Sequence, residues 1–592
     1  MNIMGANNTG QEPQSKTIWW ALVLGMLLAL PGLWVGLQLD DYFHWGLVTQ
    51  RSQVLQTLSP ASPYGLFSFL DGDPARVVDM MNLGLVPWWT YPQVEYAFWR
   101  PLTELTHGLD YSLWPQTPML MHLQSLIYFG IMLWLCFQLF KKIQGESSAW
   151  LWASFLFALS YSHGVPAGWL ANRNSVLAVI FVILTIASHH RWREYDQSAI
   201  SLRSCLLLVL GLLCGEMAVT AGAYLLSYAL FYDKGDWRSR FYSLVPYAVV
   251  GLAWLSIRAI LGYGASGSGH YLDPLSTPIL FLEMLTQRVL VLVGGLFLVV
   301  PPELGSALPA YRIWVYLALF LLVIWVAWPL LKSDRRARFW LCGSLLCLIP
   351  VASTVPHSRL LIAASVGAAG FLGLLFVAWR NGKLRRSGLA GAATGIVAVL
   401  LMVLNLGLSS LLLPLEIVSM RLMGDNFLNN GAVSWNLQDL PQGATPILIN
   451  PPLSSAGGYI NGIRLYEELP VTAKTWLLAS GTRSLKVSVL NQHTLDIESA
   501  EGLYDAQQEG VLRGPQAPFS VGDSVQLDGM IVTVMAVDEG VPTQARFQFA
   551  KPLNSDLYRF AHWHGGSVAP CRLPAKGAAI ELKMNSEQCA MP

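Results

Sequence analysis

Two adjacent carboxylates, Asp40 and Asp41, follow the first long apolar run of the chain in the stretch LQLDDYFHWG. Like charges side by side raise one another's pKa, which suits a general base or a cation site; the plain alternative is a solvated helix end. Arg173 and Arg359 stand at expected outer ends of spans, against the tendency of basic residues to stay inside. A guanidinium grips phosphate oxygens through two parallel bonds and keeps its charge, so these two, with Arg100, are candidates for holding a phosphate. Arg100 has a simpler alternative, a helix-surface ion pair with Glu104 at i,i+4 worth roughly 0.3–0.5 kcal/mol. Glu216 lies between two apolar runs and must be paired or line a polar cavity. His44, His107 and His122 can cap or orient the same region. Their irregular spacing does not suit a metal, so none is expected. The string HWHGG, from His562, reads as a strand closing in a turn rather than as a ligand set.

These side chains are carried by apolar elements. Of 592 residues, 54% are hydrophobic and only 12% charged, against roughly 25% charged in a soluble domain. The chain therefore reads as a polytopic membrane protein. A net charge of +1 gives no field for nucleic acid, and no phosphate-binding GxxxxGK[ST] loop is present, so an ATP-driven transporter is not expected from this chain alone. Apolar runs predict spans near 17–39, 119–140, 149–165, 173–189, 201–214, 217–232, 241–261, 312–331, 338–355, 359–379 and 388–413. The first is longer than a signal-peptide core and lacks a cleavage site, so it is expected to be a retained helix. A further apolar stretch at 278–300 carries Glu283 and Arg288, costly at membrane depth, and is expected to be re-entrant or interfacial.

Basic clusters at 141–142, 189–193, 233–240, 332–338 and 380–386 place those loops in the cytoplasm. Counting from them puts a tail of residues 1–16 inside, and puts the loop 39–118 and everything after about 414 outside. The membrane domain is thus 17–413. The segment 414–592 is richer in charge, Gly and Pro, and its SVQLDGMIVTVMAVDEG and QARFQFAKPL alternate as short strands, which predicts an exported β-rich domain. Five of the seven Cys lie in apolar runs, whereas Cys571 and Cys589 lie in that tail and are expected to pair in an oxidising compartment.

Residues 99–123 read WRPLTELTHGLDYSLWPQTPMLMHL. Together with the Asp pair they resemble the first extracytoplasmic loop of the transmembrane-and-tetratricopeptide-repeat O-mannosyltransferases and their bacterial relatives, within the wider dolichyl-phosphate-mannose protein mannosyltransferase superfamily of glycosyltransferases of the C fold. The run from Arg100 through Thr103, Asp110 and Tyr111 to His122 carries the likeness. WLANRNSVLAVIFVILTIASHH, CGEMAVTAGAYLLSYALFYD and HSRLLIAASVGAAGFLG resemble further motifs of that family in the same order. Where the family has an acid after the arginine, Asn174 and Ser175 follow Arg173; Gly215 precedes Glu216 where the family has Lys; and the repeats are replaced by the β-rich tail.

The resemblance implies a polytopic membrane protein of the C fold in the inner membrane of a bacterium; the apolar runs give an all-α membrane part of about 11–12 transmembrane segments, and the strand pattern puts the β-rich domain after them. The resemblance also implies transfer of a sugar from a polyprenyl-phosphate donor to a protein or glycan acceptor outside, without a cofactor. Asp40 and Asp41 then act as base and acceptor or cation holder; Arg100, Arg173 and Arg359 hold the donor phosphate; His44, Glu104, His107, Asp110, His122 and Glu216 shape the site. A divalent cation has no separate support. Two readings from other classes stay open: a lipid-linked glycan transporter or flippase, and a degenerate scaffold of an envelope assembly.

Overall fold

A computed structural model describes residues 11–51, 65–145, 147–195, 201–274, 276–306, 313–454, 456–481, 484–506, 510–583 and 589. Most of the expected N-terminal tail and part of the first outer loop lie outside these residues. The chain divides into two compact units, Met1–Leu37 with Trp99–Leu261 and Thr277–Met420, and Gln38–Phe98 with Gly262–Ser276 and Arg421–Pro592.

Among the described residues, eight helices are long and apolar enough to cross a membrane: Lys16–Trp34, Pro118–Gln144, Leu170–Tyr195, Trp237–Ile260, Pro278–Leu298, Ile313–Ser333, Ser358–Arg380 and Gly388–Ser434. The protein is a polytopic α-helical membrane protein. Several expected spans take other forms. Residues 149–165 and 201–214 yield the shorter apolar helices Ala149–Ala158 and Leu202–Cys214, below the roughly 20 residues needed to cross alone. The stretch 217–232 is broken into a 3-10 turn, a helix and a π turn over Glu216–Tyr232.

The first span ends earlier than expected. Its α-helix stops at Ala29 and tightens into a 3-10 turn over Leu30–Trp34, where Pro31 removes a backbone donor. The segment 278–300, expected to be re-entrant or interfacial, is one unbroken helix, Pro278–Leu298, apolar and of spanning length. Of the two charges that argued against a simple span here, the Arg288 guanidinium donates to the Ala352 carbonyl at 3.0 Å, while Glu283 is exposed.

Ser358–Arg380 and Leu170–Tyr195 are the most enclosed spans, 89% and 83% buried. Small residues on the first allow that. A Cβ at Gly367 would lie 2.5 Å from the Trp340 carbonyl oxygen, and one at Gly373 2.5 Å from that of Ala149, so only glycine permits these helices to approach.

The second unit is built on strands. A six-stranded antiparallel sheet runs in the order Ala579–Lys583, Ser484–Val489, Thr494–Glu498, Val541–Phe549, Met530–Asp538, Ser524–Leu527. A four-stranded mixed sheet follows the order Ser567–Pro570, Tyr558–His564, Thr445–Leu448, Trp476–Leu477. The expected β-rich tail is therefore present. HWHGG closes a hairpin: His564 pairs with Ser567, and Gly565 and Gly566 between them have φ of 54° and 83°. Positive φ at both central residues is what a tight two-residue hairpin turn requires. Cys571 and Cys589 are joined, with Cα atoms 4.8 Å apart.

Candidate active site

The Asp pair does not end a span. It opens a separate helix, Asp40–Val48, with both carboxylates in the first turn, where unpaired backbone N–H groups favour negative charge. The preceding residue, Leu39, holds φ 49° and ψ −115°, a conformation that costs a non-glycine residue on the order of 1–3 kcal/mol. That turn aims the Gln38 N–H back at Asp41, whose Oδ2 accepts it at 2.9 Å.

The two carboxylates differ in their surroundings. Asp41 is fully buried, whereas Asp40 is half-buried and accepts a hydrogen bond from the Tyr459 hydroxyl. Burial, together with the Asp40 charge, drives the Tyr459 phenol well above its ordinary pKa, so it stays a donor. His44, one turn on, is buried with its ring edge-on to Phe67 at 4.9 Å. A short three-stranded sheet of Ser68–Asp71, Glu95–Ala97 and Ala265–Ser266 belongs to the same unit.

The remaining sequence candidates fall in the helical unit. Arg173 is 1% exposed and its guanidinium is engaged by protein: Nε donates to Ser125 Oγ at 2.9 Å, one terminal nitrogen to the Met121 carbonyl at 2.9 Å, and the same nitrogen pairs with the Asp110 carboxylate. Burial pushes Asp110 up to about 6 against the pull of Arg173. His122, at the start of the span Pro118–Gln144, is buried with Nε2 3.0 Å from the Gly36 carbonyl oxygen.

Arg100 pairs with Glu216 through Nε at 2.9 Å. Glu104, the other acid within reach of Arg100 in sequence, is 1% exposed, so it does not lie on a helix surface. Next to it, Thr103 Oγ1 donates to the Cys214 carbonyl at 2.7 Å, fixing the helix Pro101–Leu113 against the turn that carries Glu216. His107 is buried, with its ring stacked toward Tyr111.

Arg359 differs from the other two arginines. Its guanidinium lies 5.5 Å over the Trp169 ring, and among the described residues its Nε has no hydrogen-bond partner. It stands beside polar groups that sequence reasoning did not single out. Glu303 Oε1 accepts from the Ser358 N–H at 2.7 Å and lies 2.6 Å from His357 Nδ1, while Ser358 Oγ donates to Glu416 Oε2 at 3.2 Å. Burial pushes the Glu303 carboxyl up, but the His357 and Ser358 donors outweigh it and hold it at about 2. A signal did exist: an acid inside the apolar run LLLPLEIV is expensive and rarely idle. For Tyr459 no local signal exists.

Among the described residues, one cluster has the geometry of a metal set. His562, Cys571 and Cys589 place ligand atoms within 4.8 Å of one another. With the two sulfurs bonded to each other, no thiolate remains to ligate, and the cluster reads as a disulfide beside a buried histidine.

The class these features define is a polytopic membrane protein with an acidic pair at a helix start and arginines near the ends of its spans. By direct comparison it resembles protein O-mannosyltransferases, as the loop motif led one to expect. The chain is 26% identical over 154 residues to the protein O-mannosyl-transferase Tmtc1 of Drosophila melanogaster, 26% of this chain and 18% of that protein. It is 28% identical over 153 residues to the protein O-mannosyl-transferase TMTC3 of Homo sapiens, 25% of this chain and 17% of that protein. The chain thus spans less than a fifth of the length of these relatives. No protein-family model matches it. The Archaeoglobus fulgidus oligosaccharyltransferase, solved with a tethered acceptor peptide, aligns over 74% of this chain and 64% of that one at 12% identity with a TM-score of 0.36, too slight a likeness to carry argument.

Proposed function

We propose that this protein is a membrane glycosyltransferase that moves a sugar from a polyprenyl-phosphate donor to a hydroxyl of a protein or glycan acceptor on the extracytoplasmic side of a bacterial inner membrane. The observation that carries the reading is the unequal Asp pair: one carboxylate buried and tied to backbone, the other half-buried and tuned by a phenol. Two carboxylates in different surroundings can take different roles. Asp40 removes the proton from the acceptor hydroxyl as its oxygen attacks the anomeric carbon. Asp41 holds the turn that aims its neighbour. The bond from the anomeric carbon to the phosphate oxygen breaks, and the lipid phosphate leaves with an added negative charge.

That charge needs a cation. Arg359, unpaired among the described residues and backed by Trp169, is the arginine best suited to supply it. Arg100, held by Glu216, is the second candidate. Arg173 we assign to positioning, since its donors already have protein acceptors. Each role rests on geometry within its own unit, and the names of the O-mannosyl-transferase relatives support the reaction class.

The test is the purified full chain in lipid nanodiscs with a panel of polyprenyl-phosphate sugars and a peptide or glycan acceptor, reading released polyprenyl phosphate. Release by the wild type that Asp40→Asn abolishes is the expected result. Donors that bind but are never cleaved by the wild type would assign the fold to another task.

A further inference from the structure

Away from the candidate active site, the helical unit holds a cleft of 120 Å³ between the helices Pro118–Gln144 and Arg173–Tyr195. Its floor is apolar: Leu135, Leu139, Ile183, Leu184 and Ala187. Its rim carries three exposed cations from three helices, Lys142, Arg191 and Arg203, with Gln138 and Ser188 between them. Among the described residues, two acids of the same region are committed elsewhere, Asp233 to Arg193 at 2.7 Å and Glu194 to Lys234 at 2.9 Å. No described carboxylate is ion-paired with the three rim cations.

An apolar trough ending in clustered positive charge is complementary to one kind of molecule in a membrane, a lipid with an anionic phosphate headgroup. The trough takes the start of an acyl chain, and the rim takes the phosphate oxygens. A basic loop alone needs no such trough; the preference of Lys and Arg for the cytoplasmic side explains exposed charge but not its convergence from three helices on an apolar cleft. We propose that this cleft is a binding site for an anionic phospholipid of the cytoplasmic leaflet, with Lys142, Arg191 and Arg203 as headgroup ligands. The site is independent of the transfer reaction and holds whether or not Asp40 is a base.

The test uses the detergent-purified full chain and native mass spectrometry, with dioleoyl phosphatidylglycerol, the acyl-matched dioleoyl phosphatidylcholine, and inorganic phosphate as a competitor. The expected result is selective retention of phosphatidylglycerol that inorganic phosphate does not displace, because the chain contributes as well as the headgroup. Each cation near a lipid phosphate is worth about fivefold in affinity. The triple variant Lys142→Gln, Arg191→Gln, Arg203→Gln should therefore lose selective retention on the order of a hundredfold. A control triple variant, Arg380→Gln, Lys383→Gln, Arg385→Gln, removes the same charge from another basic loop expected on that side and should retain the lipid. Equal retention of phosphatidylcholine, equal loss in the control, or a loss under about threefold in the cleft variant would each overturn the proposal. The rim residues are solvent-exposed, so all variants should keep the wild-type melting temperature, and a variant that does not is replaced by its single substitutions.

Discussion

The Tyr459 hydroxyl donates to Asp40 and stays protonated through the neutral range, so it withdraws basicity from that carboxylate. Tyr459→Phe should move the acidic limb of the rate profile to higher pH, with the fold intact; an unmoved limb would detach Asp40 from the proton transfer. A positioned base contributes about 10²–10⁴-fold to rate, so Asp40→Asn should lose transfer by that factor while donor binding persists. Asp71→Asn, which breaks only the pairing of Asp71 with Arg76 in the same segment, serves as the control and should stay active. Arg173 belongs to a different class of effect. Both members of its pair with Asp110 are 1% exposed, and removing one partner of a buried pair costs about 3–5 kcal/mol. Arg173→Lys cannot replace a fork used on several protein acceptors, so its thermal midpoint should fall sharply before any change in donor affinity is read; a normal midpoint with weak donor binding would return Arg173 to the phosphate.

At the scale of elements, the start of the helix Ser358–Arg380 is fastened from outside its own sequence. The free Ser358 N–H of its first turn donates to Glu303, which also meets His357. The donors hold the Glu303 carboxyl at about 2, below its ordinary 4.5, despite burial. A depressed carboxylate contributes stability that is fully present above the unfolded value, near 4.5, and is lost as pH falls through about 2. Glu303→Gln should therefore lower the melting temperature at neutral pH, and the gap from wild type should narrow as pH drops below about 4.5. A gap that is constant with pH would mean that shape, not charge, matters there.

For the whole molecule, the membrane orientation follows from loop charge. A reporter fused after Arg386 should read cytoplasmic, and one fused after Asp425 extracytoplasmic. The reverse pair of readings would put the Asp pair on the wrong side of the membrane for transfer to an exported acceptor. The same experiment bears on the lipid cleft, whose basic rim is assigned to the inner leaflet by the same rule.

By itself the sequence determined the membrane class, the β-rich tail, the hairpin turn of HWHGG and the pairing of Cys571 with Cys589, since hydropathy, strand alternation and turn chemistry are encoded over a few neighbouring residues. It also pointed to Asp40, Arg100 and Arg359 as chemically able residues. Which partners they meet was decided only in the folded chain. Tyr459 reaches Asp40 across 419 positions and Glu216 reaches Arg100 across 116, and no local pattern specifies a pairing at such separation. The conversion of Arg173 into an internal brace, the seating of Arg359 over Trp169, and the joining of Glu303, His357, Ser358 and Glu416 depend on which helix faces pack together, and that is set by the summed burial of many side chains rather than by any one stretch.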